Sequence, residues 1–454
     1  MTTLDVYLEG VPKPIGKLKS EPNEEISFAY TTSDLPHPIS VSLPVGEEPF
    51  GDVSTRGFFS NLLFENEMRN QVMERHGISA GDIVGLLYHL GTDCPGSISC
   101  VPEGAGPVKR PGLLAEDYES LDGSPQVPEA LSEAKGPFAV SEELARFMTS
   151  LRDNRRLPPE SEDPSPLAGV QGKIAVTRLQ DGRLALPKKG SGAPTTHILK
   201  VPQANQMLSV WLEHQATRLM SRIQKHETAQ TCVIGEGNLQ GLLVERFDRR
   251  TEDGKVYRVH QEDFCQALGL GHTLKYERNG EAGRIFNANA IGRILNETAQ
   301  PGKARIAFFE ITLANMLLGN SDNHAKNHAL LYAGQRPILA PAYDIDPVML
   351  DYNVTHEMSF RIGKARMADD VSKEDLDLFL KSIGAKGFVS PLAKRCAQMI
   401  KASIQLAADL PHPAAKQLSD VILQQAHHLS ANAGFDIGVP EFDNVPVNRP
   451  EASD

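Results

Sequence analysis

One stretch, Ala304 to Asp346, constrains the fold more than any other. It reads ARIAFFEITLANMLLGNSDNHAKNHALLYAGQRPILAPAYDID. Its first half is a helix pattern: Ala304, Ala307, Ile311, Ala314 and Leu318 recur at helical spacing, with Phe308 and Asn315 beside them, so one apolar stripe faces a core. Gly319 and Asn320 break the helix, as a left-handed stop does. A polar loop follows, Ser321-Asp322-Asn323-His324-Ala325-Lys326-Asn327, set between two apolar runs. Next come a short strand (329–332), a turn (334–337) and a second apolar run (338–342) that ends in Tyr343-Asp344-Ile345-Asp346. A carboxylate and an amide thus stand five residues apart on one loop, and a second carboxylate arrives across a hairpin. That is the minimum kit for magnesium-assisted phosphoryl transfer. One Asp orients or deprotonates the attacking hydroxyl, and an Asn and another Asp hold the metal on the nucleotide phosphates. Asp, Asn and Gly also build ordinary loops, so the spacing by itself suits a capped loop as well.

The chain has 454 residues, enough for two or three packed domains. Its 40% hydrophobic and 23% charged residues are those of an ordinary soluble protein, and no apolar run approaches the ~20 residues needed to span a bilayer. The N-terminus lacks a basic and then apolar leader, so the expected compartment is the cytoplasm. Five cysteines at 94, 100, 232, 265 and 396 show no C-x-x-C pair, which predicts neither a disulfide framework nor a zinc site. A net charge of −12 argues against broad nucleic-acid binding by this chain alone.

Five regions follow from the order of signals. Residues 1–110 read as a compact α/β unit, with strands at 4–8, 25–30, 39–44 and 97–101 and a helix at 83–90 that Asp82 caps. Residues 111–165, rich in Pro, Gly, Glu and Ser, read as a linker with mobile loops around one helix near 142–151. Residues 166–260 open with a small glycine-bearing run, Ala168-Gly169-Val170-Gln171-Gly172-Lys173, then a strand and an Asp-Gly hairpin turn at 181–182. Backbone N–H groups in such a run can cover phosphates, and a plain hairpin is the alternative. Lys200 sits inside the next strand, where it either snorkels to water or serves as a fixed charge for phosphate. Glu245, Arg246 and Phe247 end an apolar strand in the manner of a hinge. Residues 261–438 are mostly helical, with a helix expected to start at His260, and residues 439–454 form a Pro-rich polar tail expected to be disordered.

The segments N-S-D-N-H-A-K-N-H and L-A-P-A-Y-D-I resemble the catalytic and metal-binding segments of the HipA-like Ser/Thr kinases, the toxin halves of bacterial toxin–antitoxin pairs. A-G-V-Q-G-K (168–173), P-T-T-H-I-L-K (194–200), V-E-R-F-D-R-R (244–250) and Q-E-D-F-C-Q-A-L-G (261–269) occur in the family's order, as do S-L-P (42–44), F-F-S-N-L-L (58–63) and D-C-P-G (93–96). The resemblance implies an α+β, two-lobed protein-kinase-like core with an N-terminal accessory subdomain and a helical C-lobe. By position it implies that Asp322 is the catalytic base and that Asn327 and Asp344 bind magnesium. It further implies that residues 168–173 cover the phosphates of ATP and that Lys200 pairs with them. Glu245, Arg246 and Phe247 would hold the adenine, and His324, Ala325, Lys326, Asn327 and Tyr343 would line the nucleotide. One departure stands out: the family's autophosphorylated serine falls at Pro166 here, so Ser165 is the candidate for that role or the modification is lost.

The function expected is therefore an ATP- and Mg²⁺-dependent serine/threonine protein kinase. The resemblance implies a toxin that acts on a translation-related protein such as an aminoacyl-tRNA synthetase, restrained by a small helix-turn-helix antitoxin through which any DNA is met. Two alternatives stay open from the sequence. One is a nucleotide-binding co-repressor or scaffold without transferase activity, and the other a small-molecule phosphotransferase.

Overall fold

The computed structural model describes residues 2–21, 24–63, 67–121, 126–131, 137–158, 172–411 and 415–450. Ser165 and residues 168–171 of the expected phosphate loop lie outside them. The chain divides into two compact units: Met1–Val210 with Gln230–His272 and Leu331–Pro337, and Trp211–Ala229 with Thr273–Leu330 and Ile338–Asp454.

In the first unit, β1 (Thr3–Leu8), β2 (Gly16–Ser20), β3 (Ile26–Tyr30) and β4 (Ile98–Pro102) form an antiparallel sheet ordered β3-β2-β1-β4. Leu4, Val6 and Leu8 alternate into its core, as one-sided burial of a strand requires. Helices α1 (Asp52–Phe59), α2 (Glu67–His76) and α3 (Ile83–Leu90) accompany it, and the Asp82 side chain caps α3 by accepting from the Gly85 N–H. The chain then adds β5 (Gly112–Leu113), β6 (Tyr118–Ser120), α4 (Glu142–Asn154), β7 (Gly172–Arg178), β8 (Leu184–Pro187) and β9 (His197–Val201). It passes through α5 (Met207–Ile223) and returns with β10 (Thr231–Glu236), β11 (Leu239–Glu245), β12 (Arg249–Glu252), β13 (Lys255–Arg258), β14 (His260–Asp263) and α6 (Phe264–Leu268). Six of these strands make a second sheet, ordered β10-β11-β9-β7-β8-β6. Ile174, Leu199 and Leu243 share one face of it, against Phe147, Met148 and Leu151 of α4, in a core continuous with that of the first sheet.

Three expectations need correction here. Residues 111–165 are more than a linker, because β5 and β6 each enter a sheet and α4 covers the second one. Residues 39–44 form a turn with a single bridge, Ser40 to Leu43, rather than a strand. Side chains have taken the main-chain partners a strand would need: the Tyr30 hydroxyl accepts from the Ile39 N–H and donates to the Leu43 carbonyl, and Glu262 accepts from the Val41 N–H. Residues 260–263 are a strand, and the helix begins only at Phe264, where Asp263 and Gln266 form a capping box. The N-terminal residues are docked on this segment closely enough that a Cβ on Gly57 would lie 2.3 Å from the Gly269 carbonyl oxygen. Asn61 donates to the Leu270 carbonyl at 2.8 Å in the same contact.

The second unit is built around α8 (Pro301–Leu317), with α7 (Ala288–Glu297) before it. Strands β15 (Ala329–Tyr332) and β16 (Ile338–Leu339) come next, then α9 (Lys373–Ser382), α10 (Ser390–Ala407) and α11 (Ala415–Ala433). Pro301 starts α8, and Gly319, at φ 70°, stops it. Arg395 of α10 pairs with the buried Glu310 of α8 at 2.8 Å, which fixes one helix against the other. The tail is the fourth correction. Residues 439–450 have no helix or strand, yet Val445 is buried and bonded in both directions to Gln424 of α11. All five cysteines are free and buried, and among the described residues no helix is long and apolar enough to cross a membrane.

Candidate active site

The second unit gathers the polar loop and Asp344. Asn320, the first residue past the left-handed glycine, is the organiser. Its Oδ1 accepts from the Asp322 N–H at 3.1 Å. Its Nδ2 donates to Asn315 Oδ1 at 2.9 Å and to the Asp344 carbonyl at 3.3 Å. One amide therefore joins the end of α8, the loop and the segment after β16. Asp322 in turn accepts through its carbonyl from the His324 N–H and from Asn327 Nδ2, at 2.9 and 2.8 Å. That second bond fixes the Asn327 side chain and leaves its oxygen as the atom able to meet a cation. Asp344 itself is held at φ 60°, a left-handed conformation rare for a side-chain-bearing residue. Such strain persists only where the surroundings impose it, commonly at functional sites.

The Asp322 carboxylate keeps 44% of its side-chain surface in contact with solvent, yet its neighbours crowd it. Burial pushes its pKa above the usual carboxylate value, and the Asp344 charge adds to that rise. The Tyr276 hydroxyl, donating to Oδ1 at 2.7 Å, pulls the other way, as do Lys275 and Arg278. The His324 ring stands edge-on to Tyr276, with its Nε2 4.0 Å from Asp322 Oδ2. The Ala325 N–H donates to the Lys275 carbonyl, and the Tyr343 hydroxyl donates to the Lys326 carbonyl at 2.7 Å. His324, Ala325, Lys326, Asn327, Tyr343, Asp344 and Asp322 are thus brought together. Of these, Tyr343 and Lys326 meet through structural bonds.

Two hard oxygens, Asn327 Oδ1 and an Asp344 carboxylate, fit Mg²⁺ on a nucleotide, because Mg²⁺ takes few protein ligands and fills its shell with phosphate and water. Among the described residues no group of three or more His, Cys, Asp or Glu could hold a metal.

In the first unit, strand register sets the geometry. Lys173 of β7 lies directly opposite Lys200 of β9, and Lys200 opposite Leu242 of β11. The face they share continues with Ala175, Ile198 and Val244, so two cations border an apolar strip. Glu245 ends β11, with its N–H donated to the Gln230 carbonyl at 2.9 Å. Its Oε2 is buried with no hydrogen-bond partner among the described residues, and burial pushes its pKa up. The Arg246 guanidinium is committed elsewhere, to Asp248 at 2.9 and 3.0 Å and to Thr195. The Arg246 N–H is also taken, by the Thr196 carbonyl at 3.0 Å. Phe247 is half-buried beside it.

Tyr276, Lys275, Asn315 and Asn320 carry weight that the sequence reading did not assign to them. Asn315 had a usable signal, an amide within an apolar helical stripe. Tyr276 had none.

An α+β chain with paired lysines on a sheet and an Asp-Asn loop facing a strained Asp has the parts of a protein-kinase-like fold. The sequence matches the HipA-like C-terminal domain over residues 165–409 and the HipA N-terminal domain over residues 4–101, and the chain belongs to this HipA-like family. It is 32% identical over 386 residues to a Sinorhizobium fredii protein named "Putative kinase Y4mE", covering 84% of this chain and 86% of that one. It is 26% identical over 400 residues to the serine/threonine-protein kinase toxin HipA of Shewanella oneidensis, covering 84% and 83%. Among solved structures, the fold matches a Shewanella oneidensis HipA, HipB and operator DNA complex with a TM-score of 0.73 at 23% identity, over 96% of this chain and 100% of that chain.

Proposed function

We propose that the chain is an ATP- and Mg²⁺-dependent serine/threonine protein kinase. The observation that carries this reading is the single amide of Asn320, which binds the main chain of both Asp322 and Asp344. In this reading Asp322 positions and deprotonates the acceptor hydroxyl, and its raised pKa suits a base. Asn327 and Asp344 hold the metal. Lys173 and Lys200 neutralise phosphate charge. The apolar strip beside them suits a flat base, and the Glu245 carboxyl could accept from an exocyclic amine. The protein then contributes positioning and electrostatics, which is most of what phosphoryl transfer asks.

The family supports a growth-arresting toxin whose substrate is a translation-related protein, with an aminoacyl-tRNA synthetase as the proposed target. It also supports a small helix-turn-helix antitoxin as partner, with operator DNA bound through that partner, in keeping with the net charge of −12. Ser165, next to Pro166, is the proposed site of self-modification. In the test, purified protein, labelled ATP, Mg²⁺ and cell extract are incubated beside Asp322→Ala. A loss of label of about 10³-fold or more is expected, in line with removal of a group needed only in the transition state. Equal labelling by the two proteins sinks the reading.

A further inference from the structure

Within the second unit, the chain that follows Asp344 touches the polar loop at two points. The Met349 N–H donates to the Gly319 carbonyl at 3.0 Å. The Ser359 N–H and hydroxyl both donate to the Ser321 carbonyl, at 3.1 and 2.9 Å. These contacts flank Asn320 and stop one residue short of Asp322. The Ser359 carbonyl also accepts from the Glu277 N–H at 2.8 Å, next to the tyrosine that holds the Asp322 carboxylate. The arch between Met349 and Ser359 has no strand and only a short 3₁₀ turn at Val348–Leu350.

Much of what braces this arch comes from residues 443–449. The Asn448 carbonyl accepts from the His356 N–H at 2.8 Å, and the Asn448 N–H donates to His356 Nδ1 at 3.0 Å. Asn448 Nδ2 donates to the Val354 carbonyl at 2.6 Å. His356, almost wholly buried, meets the Asp351 carbonyl with its other ring nitrogen. Val445 packs with Met349 and Val421, and Val447 and Leu350 lie against the same cluster. The segment is moored behind itself. Gln424, 1% exposed, bonds the Val445 carbonyl and N–H at 2.8 and 2.7 Å. Arg449 pairs with Asp369 and Asp370.

We propose that residues 443–449 are a positioning strap for phosphoryl transfer, which clamp the arch at 349–356 and through it fix the loop that carries Asp322. The proposal rests on the kinase reading for its effect on rate, though not for its effect on structure. The strap belongs to no helix or strand, and α8, α10 and α11 also pack directly on one another. What it removes is the brace on a segment that meets the loop at Gly319 and Ser321. A displacement of about 1 Å in such a loop is enough to cost up to about 10²-fold in rate.

The test uses three full-length variants. Val445→Asp places a carboxylate against Met349 and Val421 and expels the strap. Asn448→Asp keeps the shape but loses the donor to Val354. Leu378→Asp, at an exposed apolar position on α9, controls for the added charge. Expected in both strap variants is exchange about tenfold faster at the Met349 and Ser359 amides, by local opening. Also expected is a kcat lower by about tenfold with the KM for ATP within about twofold, the signature of a misplaced group rather than lost binding. A synthetic peptide spanning 439–454, added to Val445→Asp, should restore part of kcat. Exchange and kcat at wild-type values in Asn448→Asp overturn the proposal, whatever Val445→Asp does to stability. If the wild type transfers no phosphate, the kinase reading fails, and the exchange measurement alone decides the strap.

Discussion

The loop at 320–327 and the lysine pair of β7 and β9 are built by opposite means. In the loop, the bonds that order the Asp322 main chain and the Asn327 side chain are local in sequence: Asn315 sets Asn320, Asn320 sets Asp322, and Asp322 sets Asn327. Each bond is a side-chain amide meeting a neighbour at 2.8–3.1 Å, which leaves little freedom. Lys173 and Lys200, by contrast, are juxtaposed only because two strands pair in one register. Register fixes a face and a spacing, and no more than that. Precision thus lies at the loop proposed to move a proton, and tolerance at the lysine pair proposed to meet phosphate charge.

That contrast can be broken by substitution. Of three further substitutions, Lys200→Met should have the largest effect on catalysis, a fall of about 10²-fold in kcat/KM for ATP, because a preorganised charge is worth several kcal/mol at a transferring phosphoryl group. Its effect on the fold should be small, within about 1 kcal/mol, because Met keeps the apolar stem that Lys200 lays along the strand. Denaturant titration beside initial rates would separate the two. Asn320→Ala should behave the other way. It leaves Asn315 and the Asp344 carbonyl without their donor in a buried setting, so stability should drop by about 1–3 kcal/mol. A kcat lower by about tenfold should accompany that drop. If Asn320→Ala is stable and slow, or Lys200→Met unfolds, the comparison fails. Tyr276→Phe should have the smallest effect, a change at neutral pH within about threefold. The tyrosine hydroxyl lowers the Asp322 pKa, so its loss raises that pKa further. A base must be deprotonated, so the acid limb of kcat/KM should move to higher pH while the alkaline limb stays.

The residues proposed to carry the chemistry are the legible ones. Asp322, Asn327 and Asp344 announce themselves as polar residues dropped among apolar runs. The groups that support them were harder to find. Tyr276 comes from a segment whose only pattern is charge. The strand at 260–263 was read as a helix start because its inward positions are His260 and Glu262, a period of two written in polar residues. The tail was read as disordered from its average composition, Pro-rich and polar. What anchors it is two valines, at 445 and 447, and a glutamine on α11 that the average cannot register. Composition reports how much apolar surface a segment can bury, and a few well-placed contacts suffice where a preformed helix supplies the other side.

Asp344 carries a consequence of its own. Its backbone sits where glycine would rest at ease, at a cost of up to about 1–2 kcal/mol that Asp, with its short polar side chain, bears better than most residues. Replacement by glycine would therefore remove the carboxylate proposed to meet the metal while relaxing the chain. In the kinase reading, a single substitution at this position would therefore trade activity for a more relaxed chain.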